Sequence, residues 1–599
     1  MVAERKLTFL LIMFVMLFAW ESGQASSPAD GDEGSAALST NAELIPWYGF
    51  EPNVISATGN ETAELSVQTD GSPTRLELVL ASGLELPLAP RGNGLFTVTV
   101  NHGDALFDYQ PDDVNRNFVG YLDVYENEER LLRGNMFINV HDSTVPEVAI
   151  SDIAPDIRVS GRVFNLHLPD VDPQNLNIAE ITQRFYQYYP DEFDFINVVS
   201  IPTYFGNRYF SGVQNKIEGI GLSAWDNSSG FGSAGRLQGF IRFPVSYFYD
   251  LASRAYVHEI GHNWINFLSH PKLQGVVPHW PISSLAPGVM GYQAPSNAQG
   301  LSFPYEIVNL PNDRYRLDWI PNRTVAFNGM EAYLMGLGSA DQAGTYIVFE
   351  DQNQVVCGGC ILDGPVVEFT AEDVIEHEGP RVPEYPNSQI SFRAATIVVS
   401  RSSPLSDREM QFYDYFAARG ESKVELSQAQ GFAKGITYPF FVATGRLGAL
   451  NTALTDEGQF QINPGLNDAW YNPETNGQGF FVNIFPDAGI VFLAWFTFDV
   501  ERPDPSVTAQ LGEPGHRWLT AQGPYSGNQA VLETAITSGG VFDSPEPAVS
   551  READGEIILE FSGCNSGTVT YDIPSIGRQG IVPIQRVALD NVALCESLR

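Results

Sequence analysis

Apolar and polar residues alternate with a period of two between residues 43 and 142. The alternation runs through AELSVQT, RLELVLA, LFTVTVN, YLDVYEN and MFINVHD, with turn-forming DGS and RGNG between the earlier runs. Such alternation is typical of strands with one buried face. Short strands separated by turns, with no helical stretch, favour a β-sandwich. We therefore predict an immunoglobulin-like β-sandwich domain over residues 43–150.

The pattern then mixes helical and strand periods. AEITQRFYQYY (residues 179–189) has the spacing of an amphipathic helix, and FINVVSIP, RYFSGVQN and GRLQGFIRFP each indicate a strand. A long helix is predicted from about residue 246 or 247 to about residue 268, and a short one over residues 329–337. This order predicts an α+β domain over residues 160–440.

Strand-like patterns return from about residue 455. AWYNPETNGQGFFVNIFPDAGIVFLAWFTFD reads as aromatic strands joined by Asn/Gly and Asp/Gly turns. We predict a β-rich accessory domain over residues 455–599. Alternation favours a core role for its aromatic side chains, and a sugar-binding platform is the alternative.

The first 25 residues have the features of a secretory signal. Arg5 and Lys6 precede an apolar run from Leu7 to Trp20, and small residues around Ala25 follow it. No later apolar run is long enough to cross a bilayer. We expect an exported protein without a membrane span after the signal is removed.

The chain is strongly acidic, with a formal charge of −39. Nucleic acid is excluded as a partner because binding phosphates needs a basic patch, and none is visible. The acidity itself favours solubility in a salty or extracellular setting. Calcium is a second candidate cofactor, because Asp112, Asp113, Asn115 and Asn117 could supply oxygen ligands, although their spacing is not that of a full calcium loop.

The four cysteines form a close pair, Cys357 and Cys360, and a distant pair, Cys564 and Cys595. An exported protein favours disulfides, so we predict the bonds Cys357–Cys360 and Cys564–Cys595. Zinc binding by all four is the alternative, but the second pair lacks finger-like spacing.

The residues best suited to bind a metal or to catalyse a reaction lie in YVHEIGHNWINFLSHPKLQGVVPHWPISSLAPGVMGYQ, which holds four of the nine histidines. His258-Glu259-Ile260-Gly261-His262 is an HExxH motif. Residues four apart lie on one face of a helix, so His258 and His262 can bind one ion. Glu259 can then reach a water molecule activated by that ion. The motif predicts a catalytic zinc site.

A catalytic zinc needs a third protein ligand. The candidates are His270, His279 and the acids Glu306 and Glu331. On a continuous helix His270 would lie about 12 Å beyond His262 along the axis. The loop KLQGVVP can instead return His279 to the metal. We therefore predict His258, His262 and His279 as ligands, with the other candidates as alternatives.

Over residues 195–292 the chain resembles the metzincin clan of zinc endopeptidases: an HExxH motif, a later histidine and then PGVMGY, which looks like a Met-turn. The resemblance implies a zincin-type catalytic domain in which Met290 lies beneath the metal and Tyr292 helps to stabilise the oxyanion. The usual short spacing is absent, since Ile265 and Leu268 stand where that pattern has glycine and the third histidine. Glu331 would be the third ligand if the chain resembled the gluzincin branch instead.

These features together predict a secreted zinc endopeptidase acting on protein or peptide substrates. Glu259 is the general base, Tyr292 donates to the developing oxyanion, and the strand in GRLQGFIRF pairs with an extended substrate as an edge strand. The alternative is an adhesin or other binding protein with a structural or degenerate zinc site. In either case the accessory domains are candidates for binding a surface or a polysaccharide.

Overall fold

The computed structural model describes residues 43–56, 61–101, 115–140, 147–169, 171–203, 208–245, 252–265, 267–273, 279–291, 305–319, 326–423, 439–455, 460–504, 506–509 and 514–598. The predicted signal over residues 1–25, the predicted catalytic Tyr292 and the calcium candidates Asp112 and Asp113 lie outside these ranges. The chain divides into two compact units, Met1–Leu454 and Thr455–Arg599.

The first unit begins with two sheets. Its first nine strands are β1 (Trp47–Glu51), β2 (Val54–Ile55), β3 (Thr62–Gln68), β4 (Arg75–Leu80), β5 (Glu85–Pro87), β6 (Ala89–Gly92), β7 (Leu95–Asn101), β8 (Asn115–Glu126) and β9 (Glu129–Val140). One sheet has the order β1-β3-β7-β6 and the other β2-β9-β8-β4-β5. Neighbouring strands are antiparallel except β2 and β9, which are parallel.

The period-two alternation sets the buried faces of these sheets. In β4, Leu76, Leu78 and Leu80 are buried, while the residues between them are half-buried. They join Leu65 of β3 and Leu122 of β8 in one apolar core. The predicted β-rich region is confirmed, and the immunoglobulin-like topology stays a prediction.

A mixed sheet forms the framework of the rest of this unit. Its strands are β10 (Ser151–Ala154), β11 (Ile157–Val159), β12 (Val163–His167), β13 (Phe195–Ser200), β14 (Tyr209–Gly212), β17 (Gly239–Pro244), β23 (Ser391–Ser400) and β24 (Ala449–Asn451). The order is β10-β11-β12-β23-β13-β17-β14, with β24 paired to β23. The central strands β12, β23, β13 and β17 are parallel to one another.

Smaller elements complete the unit. The further strands are β15 (Gln214–Asn215), β16 (Trp225–Asp226), β18 (Tyr305–Leu310), β19 (Arg314–Trp319), β20 (Tyr346–Phe349), β21 (Ile361–Asp363) and β22 (Val366–Phe369). The helices are α1 (Ile178–Phe185), α2 (Ala252–Gly261), α3 (Gly329–Met335), α4 (Ala371–Glu378), α5 (Asp407–Gly420) and α6 (Phe440–Ala443), with 3-10 turns at Ser228–Phe231, Pro271–Leu273 and Ala340–Gln342.

Both faces of the mixed sheet are covered. Every residue of β13 is buried, and alternate residues join two different cores. Phe195 shares a core with Val257 of α2, whereas Ile196 shares one with Ile181 of α1. Because a strand buried on both faces has few polar residues, β13 reads in the sequence as a continuous apolar run.

The proposed substrate-pairing strand is not an edge strand. β17 carries GFIRFP and lies between β13, which is parallel to it, and β14, which is antiparallel. Both of its backbone edges are therefore already hydrogen-bonded. β14 is the last strand in the order among the described residues, so the prediction that GRLQGFIRF forms an edge strand was wrong.

The second unit is a closed antiparallel barrel. Its strands are β25 (Asp468–Tyr471), β26 (Gly479–Phe485), β27 (Ile490–Phe498), β28 (His516–Ser526), β29 (Gln529–Ser538), β30 (Ser550–Gly563), β31 (Ser566–Ile573) and β32 (Arg578–Arg586), and β25 pairs with β32 to close it. Helix α7 (Val592–Ser597) follows, and 3-10 turns lie at Pro464–Leu466, Pro473–Thr475, Pro486–Ala488 and Pro574–Ile576.

The aromatic residues of the barrel divide between its two faces. Trp470, Phe480 and Trp495 are buried in the core, whereas Phe481 and Phe496 are about half exposed. The predicted core role is confirmed for the first three and was wrong for Phe481 and Phe496, because successive side chains of a strand point to opposite faces.

Both predicted disulfides are present, Cys357–Cys360 and Cys564–Cys595. The second joins α7 to the turn between β30 and β31, and both of its cysteines are buried in the barrel core. None of the helices in the described part of the chain has the length and apolar character needed to span a bilayer.

Candidate metal centre

Helix α2 carries the first four of the five residues of the HExxH motif and ends inside it. Its last residue is Gly261. The next amide groups bond three residues back, His262 N to Glu259 O at 3.2 Å and Asn263 N to Ile260 O at 3.0 Å. The chain therefore tightens and leaves the helix at the second histidine. The prediction that this helix continues to residue 268 was wrong.

The apolar residues after Gly261 are buried without being helical. Trp264, Ile265 and Leu268 are at most 4% exposed, and Trp264 packs its ring against Phe195 of β13 and Phe392 of β23. Burial of an irregular segment against the sheet produces the same apolar run as a continued helix face. This is why the sequence pattern placed the helix end too late.

Three imidazoles converge at the end of α2. His258 Nε2 lies 3.2 Å from His262 Nε2 and 3.2 Å from His279 Nε2. Two nitrogens bound tetrahedrally to one zinc at about 2.0–2.1 Å lie roughly 3.3 Å apart. Among the described residues, His258, His262 and His279 form the group whose ligand atoms, all within 4.8 Å of one another, could hold a metal ion.

The orientation of His258 is set by a backbone carbonyl. Its Nδ1 lies 2.8 Å from Val289 O. A carbonyl oxygen only accepts, so Nδ1 carries the proton and donates it. In the neutral ring the lone pair is then on Nε2, which faces the other two histidines. This is the arrangement that metal-bound histidines usually show.

His262 is held in the form that binds metals. Burial, and next the neighbouring His258, lower the pKa of its imidazole well below the usual value. A neutral imidazole ligates a metal, whereas an imidazolium cannot. The residues present therefore fit a divalent metal ion with a preference for nitrogen ligands.

His279 is brought to the centre on a buried segment. Its neighbour Trp280 donates from Nε1 to Glu331 Oε1 at 2.8 Å, and the backbone N of Trp280 donates to Gly291 O at 3.3 Å. The alternative acids lie elsewhere: Glu306 is exposed on β18, and neither Glu306 nor Glu331 belongs to the cluster of ligand atoms.

Glu331 is a fully buried residue of a helix N-terminus. It forms a capping box with Asn328 at the start of α3, where its Oε2 accepts from Asn328 N at 2.8 Å. Burial raises the pKa of its carboxyl group to about 8. Glu331 therefore caps α3 from the interior of the protein and is not a charge on the helix surface.

His270 is not part of the centre. Its ring lies 5.1 Å from that of His377 and 5.4 Å from that of Phe369, measured between centroids. The sequence argument placed His270 at the end of a continuous helix, about two turns past the metal. The helix ends at Gly261 instead, and the following segment carries His270 towards α4.

Glu259 lies beside the histidines and has a cationic partner. The residue is 4% exposed, and its carboxylate accepts a hydrogen bond from Arg208 Nε at 3.0 Å. Arg208 directly precedes β14 and is about one-third exposed. The sequence gives no sign of this pair, because 51 positions separate its members.

Met290 packs beneath the end of α2. It is fully buried, and a Cβ built on Gly261 would stand 2.5 Å from its Sδ. The turn that contains Met290 thus supports the helix between the two motif histidines, and its neighbour Val289 binds His258. Trp280, Val289 and Arg208 are the residues of this centre that sequence reasoning missed.

No protein family, no curated protein and no solved structure matches this chain.

Proposed function

We propose that this protein is a secreted zinc-dependent endopeptidase of the metzincin type. The observation that carries the proposal is the convergence of His258, His262 and His279 with Glu259 beside them. A zinc ion held by three imidazoles would keep its fourth position for water, which is the composition of a catalytic rather than a structural zinc site. A structural site has no need of the carboxylate.

The chemistry assigned to the chain follows from these groups. Zinc in such a site acidifies water and polarises a carbonyl group. His258, His262 and His279 would hold the ion. Glu259 accepts the proton of the attacking water and later delivers it to the leaving amine. A role for Tyr292 at the oxyanion stays a prediction from the resemblance.

The surroundings of Met290 support the metzincin type over the gluzincin type. Met290 lies under Gly261, and Val289 orients His258. A gluzincin would take a glutamate as its third ligand, but Glu331 is engaged in capping α3 and in binding Trp280.

An oxidising, extracellular location is part of the same proposal. Both cysteine pairs are bonded, and disulfides persist mainly outside the cytosol. The basic and apolar character of residues 5–20 supports export. Protein or peptide substrates are then available to the enzyme.

A zinc-binding adhesin is the second candidate, and the Arg208–Glu259 ion pair favours it. The guanidinium group contacts the carboxylate that would act as base. If the pair persisted with zinc bound, Glu259 would be restrained from accepting a proton. Zinc would then serve only to hold the histidine segments together.

The deciding experiment compares zinc content with turnover in the full exported chain. We expect about one zinc per chain, hydrolysis of casein or gelatin, and loss of that activity with a chelator. Glu259→Gln should keep the zinc while turnover falls by several orders of magnitude, because the ligands remain and the base is gone.

A matched control is available in Glu378, which also follows a histidine directly but binds Ser269. Glu378→Gln should leave turnover unchanged. Zinc bound without any hydrolysis in the unmodified chain would favour the adhesin, and hydrolysis that survives complete metal removal would exclude the zinc mechanism.

A further inference from the structure

Glu331 contacts both chain segments that complete the metal centre. Its Oε1 accepts from Trp280 Nε1 at 2.8 Å, and Trp280 is the residue after His279. On the other side, a Cβ built on Gly288 would lie 3.2 Å from Glu331 Oε2. Gly288 precedes Val289, whose carbonyl binds His258. The Glu331 carboxyl group thus lies between Trp280, which follows His279, and Gly288, which precedes the residue that binds His258.

The carboxyl group is itself held rigidly. Asn328 N donates to its Oε2 at 2.8 Å, and Glu331 N donates back to Asn328 Oδ1 at 2.9 Å. The Asn328 side chain also donates to Leu285 O at 2.8 Å, in the segment between Trp280 and Gly288. Glu331 and Trp280 are both at most 1% exposed, so water does not compete for these bonds.

We propose that Glu331 is a positioning residue that acts through Trp280 to hold His279 in metal-binding geometry. The inference rests on the proposed zinc site. His279 is not on α2, which ends at Gly261, so the position of its ring depends on the segment that carries it. A buried hydrogen bond from the next side chain to the N-terminus of α3 supplies that constraint. Outer partners of this kind commonly alter metal affinity about 10–100-fold.

The test measures zinc affinity of the full chain by competition with a chelating dye. Trp280→Phe removes the indole N–H and keeps an aromatic ring, and Glu331→Ala removes the acceptor. We expect each to weaken zinc binding about 10–100-fold. The double variant should be no weaker than the more affected single variant, because both changes remove one interaction. Glu331→Gln keeps an oxygen acceptor and should recover part of the loss.

A matched control separates positioning from the general cost of losing a buried cap. Glu409 is also a buried third residue of a capping box, at the start of α5, and its carboxyl group accepts hydrogen bonds from Asn53 and Ser406 instead of from the segments around the metal centre. Glu409→Ala should lower the stability of the chain and leave zinc affinity unchanged. The absorption spectrum of the cobalt-substituted protein should change in Trp280→Phe and not in Glu409→Ala.

The outcomes distinguish this inference from the proposed function. If Trp280→Phe folds and binds zinc as tightly as the unmodified chain, the positioning role is wrong and the zinc site stands. Equal losses in Glu331→Ala and Glu409→Ala would also overturn it, since the effect would then come from stability. If the unmodified chain binds no zinc, both proposals fail.

Discussion

Gly261 lies directly against Met290. A Cβ built on Gly261 would stand 2.5 Å from Met290 Sδ and 3.0 Å from a ring carbon of Phe327. The glycine therefore permits the close approach between the end of α2 and the turn beneath it. This contact sets the distance between the part of α2 near His258 and His262 and the turn that carries Val289.

The first prediction is that Gly261→Ala destabilises the chain, although alanine is the better helix former by up to about 1 kcal/mol. Overpacking a buried contact costs about 1–3 kcal/mol, so we expect a net loss in the free energy of unfolding and weaker zinc binding. Urea unfolding and dye competition measure the two effects. Gly261→Ala combined with Met290→Ala should recover zinc affinity relative to Gly261→Ala alone. A stabilised single variant would show that the turn moves away freely.

The second prediction separates the two later histidines. His279→Ala should weaken zinc binding more than about 100-fold, beyond the usual effect of an outer partner, because it removes one of three converging nitrogens. His270→Ala should leave zinc affinity and turnover close to those of the unmodified chain, because His270 packs against His377 and Phe369. The reverse result would place the metal near α4.

The sequence predicted local features of the centre better than long-range ones. His258, Glu259 and His262 form a motif whose geometry is contained in one helical turn. His279 could be reached by an argument from loop length. The ion pair of Arg208 with Glu259 and the bond from Trp280 to Glu331 could not, because each joins residues about 51 positions apart that meet only through the fold.

The end of α2 shows a different limit. Trp264 and Ile265 continue the apolar pattern, yet they lie beyond the helix and pack against the sheet. The spacing of apolar residues indicates which positions are buried. It does not indicate the backbone conformation of a segment that is buried on all sides. His270 was predicted to lie outside the centre because a continuous helix would carry it past the metal. It does lie outside the centre, but the helix ends at Gly261, so the stated reason was wrong.

The third prediction concerns the disulfide of the barrel. Cys564 and Cys595 are 31 positions apart, and closing a loop of this size is worth about 3.5 kcal/mol in the chain-entropy estimate. Replacing both with serine should lower the thermal stability of Thr455–Arg599 and leave zinc affinity unchanged. The matched control is the double serine variant at Cys357 and Cys360, whose loop is far shorter. An equal loss from both pairs would contradict the loop-size argument.

The fourth prediction is a pH dependence of stability that originates at Glu409. This residue is 4% exposed and accepts from Asn53 N and Ser406 N at 3.0 and 2.8 Å. Burial raises the pKa of its carboxyl group from 4.5 to about 7, and the hydrogen bonds only partly oppose this effect. Between these values the folded chain keeps a proton that the unfolded chain has released.

The stabilising effect of that proton is complete below about pH 4.5 and is lost as the pH rises through about 7. A shift of this size corresponds to about 3 kcal/mol at most. We therefore expect Glu409→Gln to gain stability relative to the unmodified chain as the pH rises from about 5 to about 8, measured by urea unfolding of both proteins at each pH. Comparing the two proteins cancels the titration of other groups. The exposed Glu85 supplies the control, and Glu85→Gln should follow the unmodified chain at every pH. If the curves for Glu409→Gln and the unmodified chain run parallel, Glu409 is ionised in the folded protein throughout this range.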